Sequence, residues 1–277
     1  MKTQKQENFP VASILFGRKY RKIITNYYNF ARYCDDIADN PELSEVKKLE
    51  LLDIAEKSLY GNANLECSLL LRKNFLDEKL DFSLATDLLC AFRQDAKSIK
   101  YETWAQLLDY CKYSASPVGR FMLALYDENP STYIPATALC SVLQIVNHVQ
   151  DLRDDVRNLK RIYIPCELLV SFKVSEKALK SSKCSKNLHF LINEILNRCN
   201  ALLDDASILP AITKNIRLKV YICITLCLTY RLIAKLKKYD ILESKVKLSK
   251  CDWLIASFNG LIKAITTKKK TLTNKGL

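Results

Sequence analysis

The stretch that decides the fold is Asn147-His-Val-Gln-Asp-Leu-Arg-Asp-Asp155, which continues to Arg161-Ile-Tyr-Ile-Pro165. Residues three and four apart share one face of a helix. One polar stripe is therefore formed by Gln144, Asn147, Asp151 and Asp155. An earlier segment, residues 28–39, has a second stripe with similar steps, made of Tyr28, Arg32, Asp35 and Asp39. Two acidic stripes in a chain with a net charge of +13 predict a site for divalent metal and diphosphate.

Around these stripes, the composition favours a helical protein. The chain has 277 residues, of which 49% are hydrophobic, so it can bury a large core and is not generally disordered. Five glycines and seven prolines are too few for a turn-dense β fold. No strand alternation, internal repeat or linker interrupts the pattern. We predict one all-α domain over residues 1–277, in which 268–277 form a frayed basic tail.

Apolar residues at helical spacing predict the individual elements. The first long helix covers residues 19–39. A later helix opens at Pro135 or Ala136 and ends in the second acidic stripe. Further single helices are predicted over residues 211–239 and 251–265. Both acidic stripes therefore lie at the C-terminal ends of long helices.

Cysteine usage and the chain start indicate a cytoplasmic protein. The eleven cysteines are odd in number, form no CxxC pair and are scattered through apolar segments, which predicts buried thiols. Two histidines exclude a histidine-rich zinc site. Residues 1–10 lack the apolar core and cleavage pattern of a signal peptide. The longest apolar run, residues 220–230, is too short to span a bilayer.

The positive charge is concentrated in the last quarter of the chain. Residues 211–277 contain 15 Lys and Arg against three acids, whereas residues 1–210 are nearly neutral. Such a segment could attract nucleic acid, anionic lipid or a diphosphate. Nucleic acid is not expected as a partner, because no recognition motif is present and the interleaving residues are aliphatic. A solvated basic helix face and peripheral contact with a membrane surface both stay open.

The placement of the first acidic stripe favours bound cations. Asp35 and Asp39 are predicted to lie where the helix dipole is negative, and they repel each other as an i,i+4 pair. Magnesium is typically held by one or two carboxylates together with substrate phosphates. Two facing stripes could therefore share magnesium ions through one diphosphate, whose departure the metal would promote. Arg32 and Arg161 could bind the phosphate oxygens directly.

Loss of diphosphate from carbon leaves a carbocation, which requires an apolar, aromatic pocket with few nucleophiles. Because π faces attract cations, the candidate rings are Phe9, Tyr28, Phe30 and Tyr110. Core packing is the alternative role for each ring.

Five segments in order resemble the squalene/phytoene synthase family: residues 8–13, 28–39, 92–95, 110–120 and 147–165. They are most similar to the bacterial hydroxysqualene synthase branch of hopanoid biosynthesis. The resemblance covers roughly residues 7–265. It implies an all-α isoprenoid synthase fold with a central cavity.

The resemblance also implies roles for particular residues. The expected magnesium ligands, for which Mn²⁺ could substitute, are Asp35, Asp39, Asn147, Asp151 and Asp155. Tyr110 matches a tyrosine implicated in the family's chemistry. The expected substrate-binding residues are Asn8, Phe9, Tyr28, Arg32, Asp95, Gln144, Arg161 and Tyr163.

By this resemblance, the protein would be a carbon–oxygen lyase that converts presqualene diphosphate and water to hydroxysqualene and diphosphate. It would use no NADPH and would work with other hopanoid-pathway enzymes, at the inner face of the cytoplasmic membrane. One alternative is a prenyltransferase that condenses two farnesyl diphosphates to presqualene diphosphate or squalene. Another is a non-catalytic assembly factor, although such relatives tend to lose the aspartates.

One segment departs from the family pattern. Many members have Gly-Arg before the Tyr-x-x-Pro corner, whereas this chain has Lys160-Arg161. The spacing from Asp155 to Arg161 is also one residue longer than in the commonest version. The acidic ligands are unaffected by either difference.

Overall fold

The computed structural model describes residues 15–269, and these contain α-helices and no β-strands. The prediction of an all-α fold is therefore confirmed. The first seven helices are α1 (Arg18–Asp39), α2 (Glu45–Leu59), α3 (Glu66–Asp77), α4 (Ser83–Ala96), α5 (Trp104–Ser114), α6 (Ser116–Leu125) and α7 (Tyr133–Asp154). The others are α8 (Cys166–Ser171), α9 (Glu176–Leu179), α10 (Lys186–Ala206), α11 (Leu209–Ile212), α12 (Ile216–Lys238) and α13 (Lys250–Thr266).

Helices α1 and α7 form the two sides of the centre of the molecule. Helix α1 packs against α2, α3 and α4, and α7 packs against α5, α6, α10 and α12. The apolar residues of α1 recur at helical spacing and therefore lie on one side of the helix, and this side is buried against its neighbours. A contiguous core runs from Phe16 to Val246 and connects both groups.

Two glycines allow helices to approach closely. A Cβ atom on Gly119 would lie 2.6 Å from the Cys140 Sγ atom, so the Cys140 side chain of α7 would have to move. A Cβ atom on Gly260 would lie 2.7 Å from the Ile224 backbone, so α13 sits directly against α12. The Gly260 contact, which is with backbone atoms, requires a residue without a side chain.

Two predicted helix boundaries were wrong. The predicted helix over residues 211–239 is interrupted, and α11 and α12 are separate. The break is stabilised because the Asn215 side chain caps α12, while the Glu128 carboxylate accepts hydrogen bonds from the backbone N–H groups of Lys214 and Asn215. Helix α7 begins at Tyr133, two residues before Pro135, because proline is tolerated in the first turn of a helix.

An unusual turn follows α7. Residues Asp155–Leu159 form one π-helical turn, and Lys160 then adopts the left-handed conformation with φ of 55°. The Arg161 N–H donates to the Asp155 carbonyl at 3.2 Å. A π turn holds one residue more than the equivalent α turn. It thus accommodates the extra residue of this segment, and Lys160 occupies a conformation that glycine adopts without strain.

No helix within residues 15–269 is long and apolar enough to cross a bilayer. The run at 220–230 lies inside α12, which packs against α13. Most of its apolar residues are buried there.

Candidate active site

The two acidic stripes face a common cavity of about 360 Å³. Twelve of the fourteen predicted site residues line it: Tyr28, Arg32, Asp35, Asp39, Asp95, Tyr110, Gln144, Asn147, Asp151, Asp155, Arg161 and Tyr163. The other two, Asn8 and Phe9, lie outside the described residues. Helical spacing thus identified a set of side chains that the fold brings together, although the roles of these residues stay predictions.

The first stripe is electrostatically strained. Burial, together with the nearby Asp39 carboxylate, raises the pKa of Asp35 from 3.8 to about 7. The Arg32 guanidinium opposes this shift by donating to the Asp35 carboxylate at 2.6 Å, and it also pairs with Asp36. Two carboxylates crowded in this way are well suited to bind a cation.

Arg161 reaches the first stripe from the segment after α7. Its guanidinium pairs with the Asp39 carboxylate and donates to the Ala38 carbonyl at 2.7 Å. Its Nε atom is buried without a hydrogen-bond partner among the described residues, as is the Nε atom of Arg32. Two guanidinium groups that line one cavity suit an anionic ligand.

One aspartate of the second stripe pairs with a lysine that the sequence analysis missed. The Lys245 ammonium pairs with the Asp151 carboxylate and lies 3.6 Å from that of Asp154. Lys245 belongs to the segment before α13, far along the chain, and no motif marks it. Asp154 does not line the cavity, in agreement with its absence from the predicted ligand set.

A buried hydrogen-bond network lies beside the acids. The hydroxyls of Tyr110 and Tyr163 donate to opposite oxygens of the Asp95 carboxylate, at 2.9 and 2.7 Å. Burial raises the pKa of Asp95 to about 6, although Arg161 and the two tyrosines oppose the shift. Each tyrosine is therefore held in one orientation within the cavity wall.

His148 is a second residue that the sequence analysis missed. Its ring stacks on that of Tyr163 with 3.6 Å between centroids, and its Nε2 atom lies 3.1 Å from the Gln144 amide nitrogen. Burial lowers the pKa of His148 to about 3, so the imidazole is neutral. His148 lies four residues after Gln144, so helical spacing could have identified it as a member of the polar stripe of α7.

A second, apolar cavity of about 270 Å³ adjoins the first. Tyr28, Ala31, Ser114, Gln144 and Asn147 line both cavities. The apolar cavity is otherwise lined by Ile24, Tyr27, Ala115, Val118, Phe121, Met122, Cys140, Leu143 and Tyr221. A ligand with a charged head and a hydrocarbon body would fit the combined shape.

One predicted aromatic residue is absent from both cavities. Phe30 is fully buried in the core, so its alternative role as a packing residue is correct. Tyr28 and Tyr110 do line the polar cavity. Helical spacing puts Tyr28 on the polar stripe of α1 and Phe30 among the buried apolar residues of the same helix, so it separates these two rings.

The oxygen-rich lining fits a hard divalent cation. Within residues 15–269, however, no three carboxylate, histidine or cysteine side chains converge closely enough to hold a metal by themselves. The carboxylates instead face one another across the cavity. They could hold magnesium together with the oxygens of a ligand between them, which is the usual mode of magnesium binding.

The squalene/phytoene synthase family model matches residues 2–252. The chain belongs to this family. Among similar proteins is the hydroxysqualene synthase of Rhodopseudomonas palustris, which is 36% identical over 96% of this chain and 92% of its own length. The hydroxysqualene synthase of Zymomonas mobilis is also 36% identical, over 93% of this chain and 88% of its own length.

Solved structures of squalene/phytoene synthase relatives have the same architecture. The squalene synthase HpnC from Alicyclobacillus acidocaldarius matches with a TM-score of 0.74 and 26% identity, over 85% of this chain and 90% of that one. A dehydrosqualene synthase matches with a TM-score of 0.78 and 21% identity, over 91% and 90%. The all-α terpenoid synthase fold is therefore shared.

Proposed function

We propose that this enzyme is a hydroxysqualene synthase, which converts presqualene diphosphate and water to hydroxysqualene and diphosphate. The observation that carries the proposal is the joined pair of cavities, one acidic and cationic, the other apolar. Relatives that carry the name hydroxysqualene synthase match over most of the chain. A C–O lyase reaction on an isoprenoid diphosphate uses both ends of such a site.

In this proposal, the polar cavity holds the diphosphate. Arg32 and Arg161 line this cavity, and Lys245, which pairs with Asp151, adds a third positive charge beside it. Asp35, Asp39, Asn147, Asp151 and Asp155 would hold Mg²⁺, which neutralises the leaving group when it is bound. Mn²⁺ prefers the same oxygen ligands and could replace it.

The apolar cavity would hold the hydrocarbon. Departure of diphosphate breaks a C–O bond and leaves a cyclopropylcarbinyl cation, which rearranges to an allylic cation. Water then forms the new C–O bond and gives up a proton. Tyr28, which lines both cavities, is placed to stabilise the cation through its ring face. No NADPH is needed, because water rather than hydride ends the reaction.

The decisive experiment is incubation of the purified protein with presqualene diphosphate and, separately, with farnesyl diphosphate. Both reactions contain Mg²⁺ and omit NADPH. Formation of hydroxysqualene from presqualene diphosphate would support the proposal. Conversion of farnesyl diphosphate to presqualene diphosphate, without hydroxysqualene in either reaction, would replace it.

The second candidate is a synthase that condenses two farnesyl diphosphates. It is favoured by the likeness to a protein named squalene synthase and by a cavity that such substrates would also fit. A non-catalytic assembly factor is disfavoured because every predicted aspartate ligand is present and lines the cavity.

We further propose a cytoplasmic location with peripheral contact at the inner face of the membrane. The basic segment 211–277 and the lipid character of the substrate and product support this location. Enzymes that make presqualene diphosphate and consume hydroxysqualene, as in hopanoid biosynthesis, would then share the same surface.

A further inference from the structure

Helix α13 exposes an unbroken apolar surface. At 100° per residue, its exposed large apolar side chains fall within an arc of about 120°. This outer face of α13 consists of Leu254, Ile255, Phe258, Leu261, Ile262 and Ile265. Leu254, Phe258 and Ile265 are 71%, 65% and 73% exposed. The opposite side, which includes Ala256, Gly260 and Ala264, is buried against α12.

This surface differs from ordinary exposed apolar residues. Single exposed residues are normal, whereas a contiguous apolar patch marks an interaction site. Helix α12 is longer than α13, yet its exposed large apolar residues are only Ile216 and Tyr230, at opposite parts of the helix. A helix that is apolar on both sides has two partners, and α12 supplies only one of them.

The charges around the outer face of α13 are positive. Lys247 and Lys250 are exposed at its start, and Lys268 and Lys269 are exposed just after its end. The one acid between residues 247 and 269 is Asp252, which is buried. Its carboxylate pairs with the Lys235 ammonium at 2.5 Å and with the Arg231 guanidinium at 3.3 Å. An apolar face bordered by lysines complements an anionic lipid surface.

We propose that the outer face of α13 docks into the interface of an anionic phospholipid bilayer, with the helix parallel to the membrane. A helix of 17 residues is about 25 Å long, and α13 is not a candidate to cross the bilayer. A second copy of the chain is a poorer partner. Symmetric pairing through this face would bring the lysines of two copies together at both ends.

The docking surface is one helix away from the apolar cavity. On α12, Val220 and Cys223 pack beneath Ala264 of α13, while Tyr221 lines the apolar cavity. Docking would therefore hold that cavity close to the lipid. The inference rests on exposure and charge alone and does not depend on the proposed reaction.

The test is sedimentation of the full chain with phosphatidylcholine vesicles, with and without roughly a third of phosphatidylglycerol. We expect the wild-type chain to bind the anionic vesicles. The double variant Phe258→Ser/Ile265→Ser should lower the partition coefficient at least about ten-fold, because two large apolar side chains no longer enter the interface. The matched control Ile134→Ser/Val170→Ser, at positions 82% and 76% exposed on other helices, should bind like wild type.

A second variant isolates the charge contribution. Lys268→Gln/Lys269→Gln should weaken binding several-fold on anionic vesicles and leave binding to phosphatidylcholine unchanged. Equal binding by wild type and the Phe258→Ser/Ile265→Ser variant would overturn the proposal. The proposal would also be overturned if sedimentation velocity without vesicles showed that the wild type is a dimer and that the Phe258→Ser/Ile265→Ser variant is a monomer. The outer face of α13 would then bind a second copy of the chain.

Folding and catalysis are measured separately for the same variants. The thermal midpoint of unfolding and turnover in detergent should stay at wild-type values when vesicle binding is lost. If the double variant does not fold, Leu254→Ser replaces it as a single change on the same face. Absence of turnover in the wild type would contradict the proposed reaction and leave the vesicle result valid.

Discussion

Lys245 lies within reach of two neighbouring aspartates, and only one of them lines the cavity. Its ammonium pairs with the Asp151 carboxylate, whereas the Asp154 carboxylate is 3.6 Å away and outside the cavity. This difference gives a matched pair of variants. Each loses one carboxylate beside the same lysine, and only one loses a predicted metal ligand.

We expect Asp151→Ala to reduce turnover by at least about a thousand-fold, since a ligand that neutralises the leaving group is lost. Its circular dichroism spectrum should match the wild type, because little core volume is removed. Asp154→Ala should retain turnover within about three-fold. Similar activities for the two variants, measured as diphosphate release, would refute the metal assignment.

Asp35 couples the site to stability. The folded protein holds a proton on Asp35 up to about pH 7, whereas the unfolded chain releases it near pH 3.8. The metal-free fold therefore loses stability as pH rises between these values. Asp35→Asn removes this cost and should also abolish turnover.

The stability gain of Asp35→Asn is expected at pH 8 and should vanish at pH 4. Because solvent reaches about a third of the Asp35 side chain and screens its charge, we expect about 1 kcal/mol or less, a midpoint shift of about 2 °C. Thermal unfolding without metal at both pH values measures it. A lower thermal midpoint for Asp35→Asn than for the wild type at pH 8 would contradict the assignment of an unfavourable charge to Asp35.

At the scale of elements, the π turn Asp155–Leu159 carries the chain from α7 to Arg161. Lys160 closes this turn in the left-handed conformation, which costs free energy for any residue with a Cβ atom. We expect Lys160→Gly to stabilise the fold by about 0.5–1 kcal/mol, after allowance for the greater freedom of glycine in the unfolded chain.

Lys160→Ala provides the control for this prediction. It removes the same charge and keeps the Cβ atom, so it should give no gain in stability. Urea unfolding of both variants measures the change in the free energy of unfolding, and we expect the slope m to stay constant. The difference between the two variants then separates backbone strain from charge. Equal stabilisation by the two substitutions would show that charge, rather than backbone conformation, was responsible.

Helix-scale features were predictable where the pattern was local. The two acidic stripes followed from three- and four-residue spacing, and that spacing depends only on helical geometry. The break between α11 and α12 has a local signal in Asn215, a favoured N-cap residue, but its stabilisation by Glu128 was not predictable, because Glu128 is distant in sequence. Lys245 was missed for the same reason. Its contact with Asp151 is set by how the segment before α13 folds back on α7.

At the scale of the whole molecule, a ligand bound between α1 and α7 should stabilise the contact between these two helices. The acids of α1 and α7 face one cavity, and no three of the described metal-binding side chains converge without a ligand. Mg²⁺ and diphosphate added together should therefore raise the thermal midpoint more than the sum of their separate effects.

The expected stabilisation is about 2.7 kcal/mol when the ligand concentration is a hundred times Kd. For a protein of this size, the midpoint would rise by about 5–10 °C. Differential scanning fluorimetry measures the shift, and Asp151→Ala should show little of it. Strictly additive effects of Mg²⁺ and diphosphate would indicate two independent sites instead of a shared one.

The paired tyrosines on Asp95 have a consequence for reactivity. Both O–H bonds point toward one carboxylate, so the electron-rich side of each phenol oxygen is turned away from it. Burial and Asp95 hold the pKa of both hydroxyls well above the usual range, so neither becomes a phenolate. An electron-deficient intermediate beside them would meet two oriented phenol dipoles that lower its energy, yet are too weakly nucleophilic to trap it. The wall would stabilise such a species and leave its capture to a molecule that enters from outside.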